Sequence, residues 1–159
     1  MSLTIRPVRP GEGGLVLDFV RELAAYEKLE DKVEATAAGF EASLFGPNPR
    51  VFCDIADWDG APAGFALWFY NYSTFYGRHG IYLEDLFVRP DFRRYGIATA
   101  LLGHLARRCL DEGLGRLDWA VLDWNAPAIA FYDRIGAVPL SEWLGRRLAG
   151  EALARLAAR

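Results

Sequence analysis

The chain has an apolar segment from Ile81 to Val88 that stops at two arginines and a glycine, after which a helical pattern runs from Ala98 to Leu110. The residues between them form the pattern Arg93-x-x-Gly96-x-Ala98. A helix N-terminus carries unpaired backbone N–H groups, and a glycine there lets an anion come close to them. Taken alone, so short a pattern is equally typical of an ordinary loop with solvated arginines. Its place between a strand and an amphipathic helix is the geometry that phosphate binding requires, and it predicts a diphosphate site.

Length and composition indicate one globular domain spanning residues 1–159, because 52% of the residues are apolar and 25% are charged. A net charge of −3 argues against nucleic-acid binding, which normally needs a basic surface. No apolar segment approaches the roughly 18–20 residues that span a bilayer, and the N-terminus lacks the pattern of a secretory signal. We therefore expect a cytoplasmic protein that binds neither nucleic acid nor membrane. Cys53 and Cys109 are expected to be buried free thiols, and no His/Cys cluster predicts a metal site.

Hydrophobic periodicity predicts strands and helices along the whole chain. The predicted strands are Leu3–Val8, Val51–Ala56, Ala63–Asn71, Gly80–Val88, Leu117–Leu122 and Trp143–Leu148. The predicted helices are Gly13–Leu29, a segment capped by Thr36, Ala98–Leu110, Pro127–Arg134 and Gly150–Arg159. Between two of the strands, Asp57-Trp-Asp-Gly60 predicts a hairpin turn, because Asp-Gly tolerates positive φ. This order predicts an α+β fold in which helices cover a mixed sheet.

A second motif begins at Asn125, directly after the strand that is predicted to end at Leu122. Asn125 can cap the following helix, Pro127 suits its first turn, and Gly136 suits the position after its last turn. Tyr132 lies on this helix. A lone tyrosine in such a place is usually a half-buried aromatic residue, so its interpretation depends on the rest of the chain.

Together the two motifs resemble those of the GNAT superfamily of acetyl-CoA-dependent N-acetyltransferases. The first matches the Arg/Gln-x-x-Gly-x-Gly/Ala pyrophosphate motif, and the second matches an Asn-x-Pro-Ala-x-x-Phe-Tyr cofactor motif. The resemblance covers essentially the whole chain and is closer still to the diamine (spermidine/spermine-type) and thialysine acetyltransferases. The segments that carry it are Ile5-Arg-Pro7, Glu22-Leu-Ala-Ala-Tyr-Glu27, Tyr82-Leu-Glu-Asp-Leu-Phe-Val88, Asp91-Phe-Arg-Arg-Tyr-Gly-Ile-Ala98 and Trp124-Asn125.

The resemblance implies a twisted, mixed, mostly antiparallel sheet flanked by helices, with a splayed central strand pair that holds acetyl-CoA as co-substrate. The strand main chain would pair with the pantetheine arm, and the backbone of the following turn would hold the diphosphate. The implied cofactor-binding residues are Leu86, Phe87, Val88, Arg93, Arg94, Tyr95, Gly96, Ile97, Ala98, Thr99, Asn125 and Ala128. The resemblance also implies Tyr132 as general acid beside the sulfur, Glu84 facing the amine, and a homodimer formed through the C-terminal strands.

The chemistry of amine acetylation independently requires a proton acceptor and a proton donor. A primary amine has a pKa of about 10.4, so freeing its lone pair at pH 7 costs about 4.6 kcal/mol. Glu84, an acid on an apolar strand, can take that proton directly or through a water, although a solvated strand residue has the same sequence signature. Asp85 should point to the opposite side unless a bulge intervenes, which makes it the lesser candidate. Proton transfer from Tyr132 to a thiolate is uphill by about 2 kcal/mol and becomes reasonable as charge develops on sulfur.

The amine site is predicted less specifically, by an acidic segment that runs from Glu22 to Glu34. Its carboxylates are either a solvated helix face or an electrostatic lure for a cationic substrate. The resemblance implies that Tyr26 and Glu27 bind the amine substrate, together with Glu84 and Asp85.

The sequence leaves the physiological substrate open. The segment after Ala137 is shorter and less acidic than in the diamine enzymes, and Asp118 replaces a different polar residue. A short amine or a thialysine-type amino acid is therefore as compatible with the chain as spermidine. Two alternatives also stand: acetylation of a protein or peptide amine, and a non-catalytic acyl-CoA-binding module on the same fold. Retention of both Glu84 and Tyr132 argues against the second alternative.

Overall fold

The computed structural model describes residues 1–159, and its five strands form one sheet in the order β1-β2-β3-β4-β5. The strands are β1 (Leu3–Pro7), β2 (Phe52–Trp58), β3 (Ala61–Ser73), β4 (Arg78–Val88) and β5 (Leu117–Asp118). Neighbouring strands are antiparallel except for β4 and β5, which are parallel. The predicted α+β class, with a mixed and mostly antiparallel sheet flanked by helices, is confirmed. Residues 1–120 and 121–159 form two compact units, and all five strands belong to the first.

Five α-helices accompany the sheet, and local signals explain several of their ends. They are α1 (Gly13–Tyr26), α2 (Ala37–Phe45), α3 (Ile97–Asp111), α4 (Ala126–Arg134) and α5 (Gly150–Ala157). Thr36 caps α2 as predicted, because its hydroxyl accepts a hydrogen bond from the Gly39 N–H at 3.0 Å. Helix α1 ends at Tyr26 rather than at the predicted Leu29, since Lys28 adopts a left-handed backbone with φ of 61°.

One face of the sheet packs against α1 and α2. Phe65 on β3 stacks on Phe19 of α1 with ring centroids 5.1 Å apart, and both side chains are fully buried. Other buried members of this core are Val8, Val16, Leu23, Leu44, Cys53, Ile55, Leu67 and Phe87. Burial raises the pKa of the Cys53 thiol above its ordinary range, so this unpaired cysteine is a structural, protonated residue.

The opposite face of the sheet packs against α3. The Arg108 guanidinium lies 5.1 Å from the ring centroid of Trp68, whose side chain points away from the face of its neighbour Leu67. The buried stripe of α3 consists of Ile97, Leu101, Leu102, Leu105 and Cys109. Leu110, predicted in this stripe, is 77% exposed, because it follows Cys109 by one residue and so lies about 100° further around the helix.

The second unit contains α4, α5 and an irregular segment from residue 135 to 149. The predicted strand Trp143–Leu148 is wrong, because these residues form no ladder with any strand, and the predicted strand Leu117–Leu122 is limited to Leu117–Asp118. A strand needs a partner as well as a suitable sequence, and this requirement is not visible in a short apolar segment. None of the helices combines the length and the hydropathy needed to cross a membrane.

Candidate functional site

Strand β4 carries a β-bulge at one of the predicted catalytic residues. On its border with β3, Leu83 pairs with Trp68 and Asp85 pairs with Leu67, so Glu84 is an extra residue without a partner of its own. Such a bulge bends the strand and changes the face to which the following side chains point.

The bulge brings the two carboxylates to the same face of the sheet. Paired residues of neighbouring strands share a face, and the adjacent residues Leu67 and Trp68 lie on opposite faces. Asp85 therefore shares the face of Leu67, which α1 covers, whereas Leu83 shares the face of Trp68. Glu84 follows Leu83 by one residue and so also turns toward α1. In a regular strand the two acids would point to opposite faces. The bulge interrupts this alternation, so Asp85 lies on the same face as Glu84, as the sequence allowed for a bulged strand.

Asp85 interacts electrostatically with two other carboxylates, those of Glu84 and Glu27. Burial raises the pKa of Asp85 to about 6, and the nearby negative charges of Glu84 and Glu27 add to the increase. Burial also raises the pKa of Glu27, which directly follows the last residue of α1. Glu84 is the exposed member of the group. A half-buried cluster of like charges favours a cation, which would lower the electrostatic cost of keeping all three ionised.

Beyond its first residues, β4 has an open edge. The border with β5 consists only of Ile81 opposite Leu117 and Tyr82 opposite Asp118, whereas the pairing with β3 continues to Val88. Residues 83–88 thus have no strand on the side away from β3. The predicted pantetheine-binding residues Leu86, Phe87 and Val88 lie on this free edge, where an extended ligand can pair with the main chain.

The turn after β4 leads into a helix N-terminus that has no side-chain cap. Two of its residues are left-handed, Arg94 with φ of 68° and Gly96 with φ of 77°. Gly96 is the N-cap of α3, no side chain hydrogen-bonds the N-terminus, and the first turn contains no acidic residue. The N–H groups of Ile97, Ala98 and Thr99 belong to this first turn and lack an acceptor within the helix. The predicted diphosphate site therefore has the conformation and the dipole that an anion requires.

The side chain of Arg93 is engaged by the protein itself. Its Nε donates to the Val88 carbonyl at 3.0 Å, and its guanidinium lies 5.1 Å from the ring centroid of Tyr26 and 5.7 Å from that of Phe87. The predicted cofactor residue Arg93 and the predicted substrate residue Tyr26 are thus in direct contact. In this arrangement the Arg93 side chain helps to shape the turn, and the predicted anion site depends on the backbone N–H groups of the following residues.

Two further contacts of the turn were not predicted from the sequence. Arg89 forms a salt bridge with Glu22 at 2.8 Å and donates to the Pro62 carbonyl at 2.9 Å. Tyr95 stacks on Trp58 with ring centroids 4.8 Å apart. Neither contact has a local sequence signal, because the partners are far apart along the chain. The Arg89 contact also neutralises Glu22, which therefore does not belong to the acidic cluster.

Asp118, noted in the sequence as a departure from the diamine enzymes, has a structural role. Its Oδ2 accepts hydrogen bonds from Arg116 Nε at 2.8 Å and from Asn71 Nδ2 at 3.2 Å. These contacts join β3 to the short strand β5 at the point where the β4–β5 border ends. Asp118 therefore lies at the point beyond which β4 has no neighbouring strand on the side away from β3.

The second unit contains the remaining predicted site residues. Asn125 is buried and caps α4, since its Oδ1 accepts a hydrogen bond from the Ala128 N–H at 3.4 Å. Tyr132 is half-buried near the C-terminus of α4, with its ring centroid 5.4 Å from that of Phe131. Gly136 follows with φ of 85°, the left-handed residue predicted for the end of this helix. The predicted roles of these residues toward a ligand stay predictions.

Comparison with known proteins places this arrangement in a family context. Residues 17–137 match the Acetyltransferase (GNAT) family. The chain is 39% identical to a thialysine N-epsilon-acetyltransferase of Sus scrofa, with 98% of each chain covered. It is 44% identical to an L-ornithine N5-acetyltransferase of Arabidopsis thaliana, with 96% of this chain and 87% of the relative covered. Among solved structures, an integron cassette protein from the mobile metagenome of V. cholerae superposes with a TM-score of 0.82, at 29% identity and with 100% and 99% of the two chains covered.

Proposed function

Because this chain belongs to the GNAT acetyltransferase family and is an acetyltransferase, we propose that it moves the acetyl group of acetyl-CoA to a primary amine of a small molecule. Diamines, polyamines and thialysine-like amino acids are the proposed acceptors. The reaction is proposed to occur by direct attack of the amine within a ternary complex. No covalent acetyl-enzyme is required.

One observation carries the proposal: three elements that the reaction needs follow one another along β4 and its continuation. The bulge at Glu84 and Asp85 supplies negative charge, residues 86–88 supply a free main-chain edge, and the turn before α3 supplies unpaired N–H groups. An amine, a pantetheine arm and a diphosphate need these elements in this order, since acetyl-CoA places its thioester at one end and its diphosphate further along.

The residues present fit acetyl-CoA, which would supply an acetyl group on a good leaving group. The main chain of the segment from Leu86 to Val88 would pair with the pantetheine arm as a further strand would, through those of its groups that point away from β3. The N–H groups from Arg94 to Thr99 would hold the diphosphate, and the positive end of the α3 dipole would add to the attraction. Asn125 and Ala128 are proposed to contact the cofactor from α4.

The names of the two relatives favour an acceptor with a terminal amine on a short aliphatic chain. Thialysine and ornithine share this feature, and it is cationic at neutral pH. We propose that Glu27, Glu84 and Asp85 attract this cation and that Tyr26 forms one wall of its site. The raised pKa of Asp85 supports this role, because a cation beside it would restore the ionised form that burial disfavours.

Glu84 is the proposed proton acceptor and Tyr132 the proposed proton donor. Glu84 is exposed and lies beside Asp85 on the bulge, so it can exchange a proton with solvent after each turnover. A main-chain N–H near Leu86 is proposed to stabilise the oxyanion. Tyr132 would protonate or hydrogen-bond the sulfur as negative charge develops there.

We also propose that the enzyme acts as a cytoplasmic homodimer with one catalytic domain per chain. The irregular segment of the second unit supports the dimer. Val138, Leu140, Trp143 and Leu144 lie close together in sequence and are between 60% and 77% exposed. Several strongly exposed apolar residues within one short segment are a feature that protein interfaces share.

The test combines binding and turnover on the full chain. Calorimetry should detect coenzyme A binding at micromolar to millimolar ligand, and a thiol-release assay should detect turnover with ornithine, thialysine, lysine or diamines. Glu84→Gln should lower kcat by at least tenfold, whereas the control Asp18→Asn, on the exposed face of α1, should change it less than twofold. Failure to bind coenzyme A, or turnover only with peptide amines, would refute the proposal.

A further inference from the structure

The β2–β3 hairpin contacts the turn between β4 and α3 at both of its ends. At the start of the turn, Arg89 N–H donates to the Ala63 carbonyl at 2.9 Å and its Nη1 donates to the Pro62 carbonyl at 2.9 Å. At the end of the turn, the Tyr95 ring stacks on the Trp58 ring, with centroids 4.8 Å apart and an interplanar angle of 26°. The hairpin therefore contacts both the first and the last part of the turn.

Tyr95 occupies the position in the turn that most needs external support. Its neighbours on both sides, Arg94 and Gly96, have left-handed backbones. Glycine adopts this conformation easily, but an arginine does so only where surrounding contacts hold it. About half of the Tyr95 side chain is exposed, so the stack on Trp58 is a substantial part of its packing.

Trp58 is itself firmly held, which makes it a suitable support. It is the last residue of β2 and pairs with Leu3 of β1 and with Ala61 of β3. The following residue, Asp59, accepts a hydrogen bond from the Ser2 N–H at 2.7 Å and donates its own N–H to the Ser2 carbonyl at 2.8 Å. The backbone of Trp58 is thus paired with strands on both sides, which fixes the point from which the indole reaches Tyr95.

We propose that Trp58 is a positioning residue for the nucleotide part of the co-substrate. By stacking on Tyr95 it holds Arg94, Tyr95 and Gly96 in the conformation that points the first N–H groups of α3 at a diphosphate. A turn that is already in its binding conformation loses less conformational entropy on binding. This inference rests on the proposed function, because it assumes that the turn binds the diphosphate of acetyl-CoA.

The experiment compares Trp58→Leu and Trp58→Phe with the wild-type chain. Leucine keeps an apolar cover but no ring, and phenylalanine restores a smaller ring. Trp58→Leu should raise the Kd for coenzyme A, measured by calorimetry, about 3- to 10-fold, the range that aromatic pair energies correspond to. The KM for acetyl-CoA should rise in step while kcat changes less than twofold. Trp58→Phe should recover most of the affinity.

A short donor separates positioning from general damage. S-acetyl-pantetheine contains the thioester and the pantetheine arm but no diphosphate, so its KM should be the same in Trp58→Leu and in the wild type. Amide hydrogen exchange of residues 93–99 without ligand should be faster in Trp58→Leu. Phe75→Ala, which removes a 93% exposed ring from the tip of the β3–β4 hairpin, should change none of these quantities.

The outcomes distinguish the two proposals. If the wild-type chain does not bind coenzyme A, the proposed function fails. If the wild type binds it and Trp58→Leu binds it equally well, or if the short donor suffers the same loss as acetyl-CoA, the positioning role of Trp58 fails while the function stands.

Discussion

At the residue scale, the raised pKa of Asp85 shows that its ionised form reduces the stability of the folded protein. Its folded pKa of about 6 exceeds the reference value of 3.8, so protonation stabilises the folded state. That stabilisation is lost as pH rises from about 4 through about 6, because the unfolded chain ionises first. At neutral pH the ionised Asp85 therefore reduces the free energy of unfolding. A destabilising acid of this kind points to a role other than stability.

Replacing Asp85 by asparagine should accordingly stabilise the protein and impair it as an enzyme. We expect Asp85→Asn to raise the free energy of unfolding by about 1–3 kcal/mol at pH 8, and by less at pH 4.5. Its KM for the amine should increase. Urea denaturation at the two pH values measures the first effect, and Asp18→Asn serves as the control. A loss of stability at pH 8 would contradict the electrostatic account of this site.

Glu84 is distinguished from Asp85 by the pH dependence of its rate effect. If Glu84 accepts the proton of the amine, its loss matters less when the amine is already neutral. The rate defect of Glu84→Gln, about tenfold or more at pH 7, should therefore shrink toward pH 10. Profiles of kcat/KM against pH for both enzymes check this. A defect of constant size would instead indicate that Glu84 only positions the substrate.

At the element scale, the anion site proposed at the start of α3 depends on the left-handed conformation of one residue, Gly96. Gly96 has φ of 77°, and a Cβ added there would meet no atom within 4 Å, so an alanine would be strained only by its backbone. That strain is about 1–2 kcal/mol, and it is relieved if the turn changes conformation. We expect Gly96→Ala to raise the Kd for coenzyme A about 5- to 30-fold by calorimetry, with a smaller effect on the KM for the amine.

Gly103 provides the matched control within the same helix. It lies on the exposed side of α3 in ordinary helical conformation, and an added Cβ would also meet no atom within 4 Å. Gly103→Ala should stabilise the protein by about 0.5–1 kcal/mol and leave the Kd unchanged. Equal losses of affinity in both variants would show that the left-handed N-cap has no special role.

The elements differ in how far the sequence could predict them. Thr36 and Asn125 cap their helices through N–H groups three residues further along, so the local sequence is enough to predict both caps. The sequence could name a bulge near Glu84 only as an exception to regular alternation, because a bulge depends on the register between two strands. The open edge of β4 depends in turn on where β5 ends. Trp58 and Tyr95 meet only through tertiary structure, so no local pattern revealed their contact.

At the scale of the whole molecule, the two units contribute differently to the proposed chemistry. The first unit has a buried core on both faces of its sheet, and its turn is braced by Arg89 and Trp58. The second unit has few buried residues of its own, and the strand predicted at Trp143–Leu148 is absent. An apolar segment that pairs with no strand of its own chain could pack against a second chain instead, which is the basis of the proposed dimer.

A dimer interface at the irregular segment gives the final prediction. Trp143 and Leu144 are 74% and 76% exposed, in a group with other apolar residues, whereas Leu110 is 77% exposed and solitary on α3. Scattered apolar residues are ordinary surface features, but a group of them indicates association. Light scattering after gel filtration should give twice the mass of one chain for the wild type and for Leu110→Ser. The double variant Trp143→Ser/Leu144→Ser should shift toward the mass of one chain, and a monomeric wild type at micromolar concentration would refute the dimer.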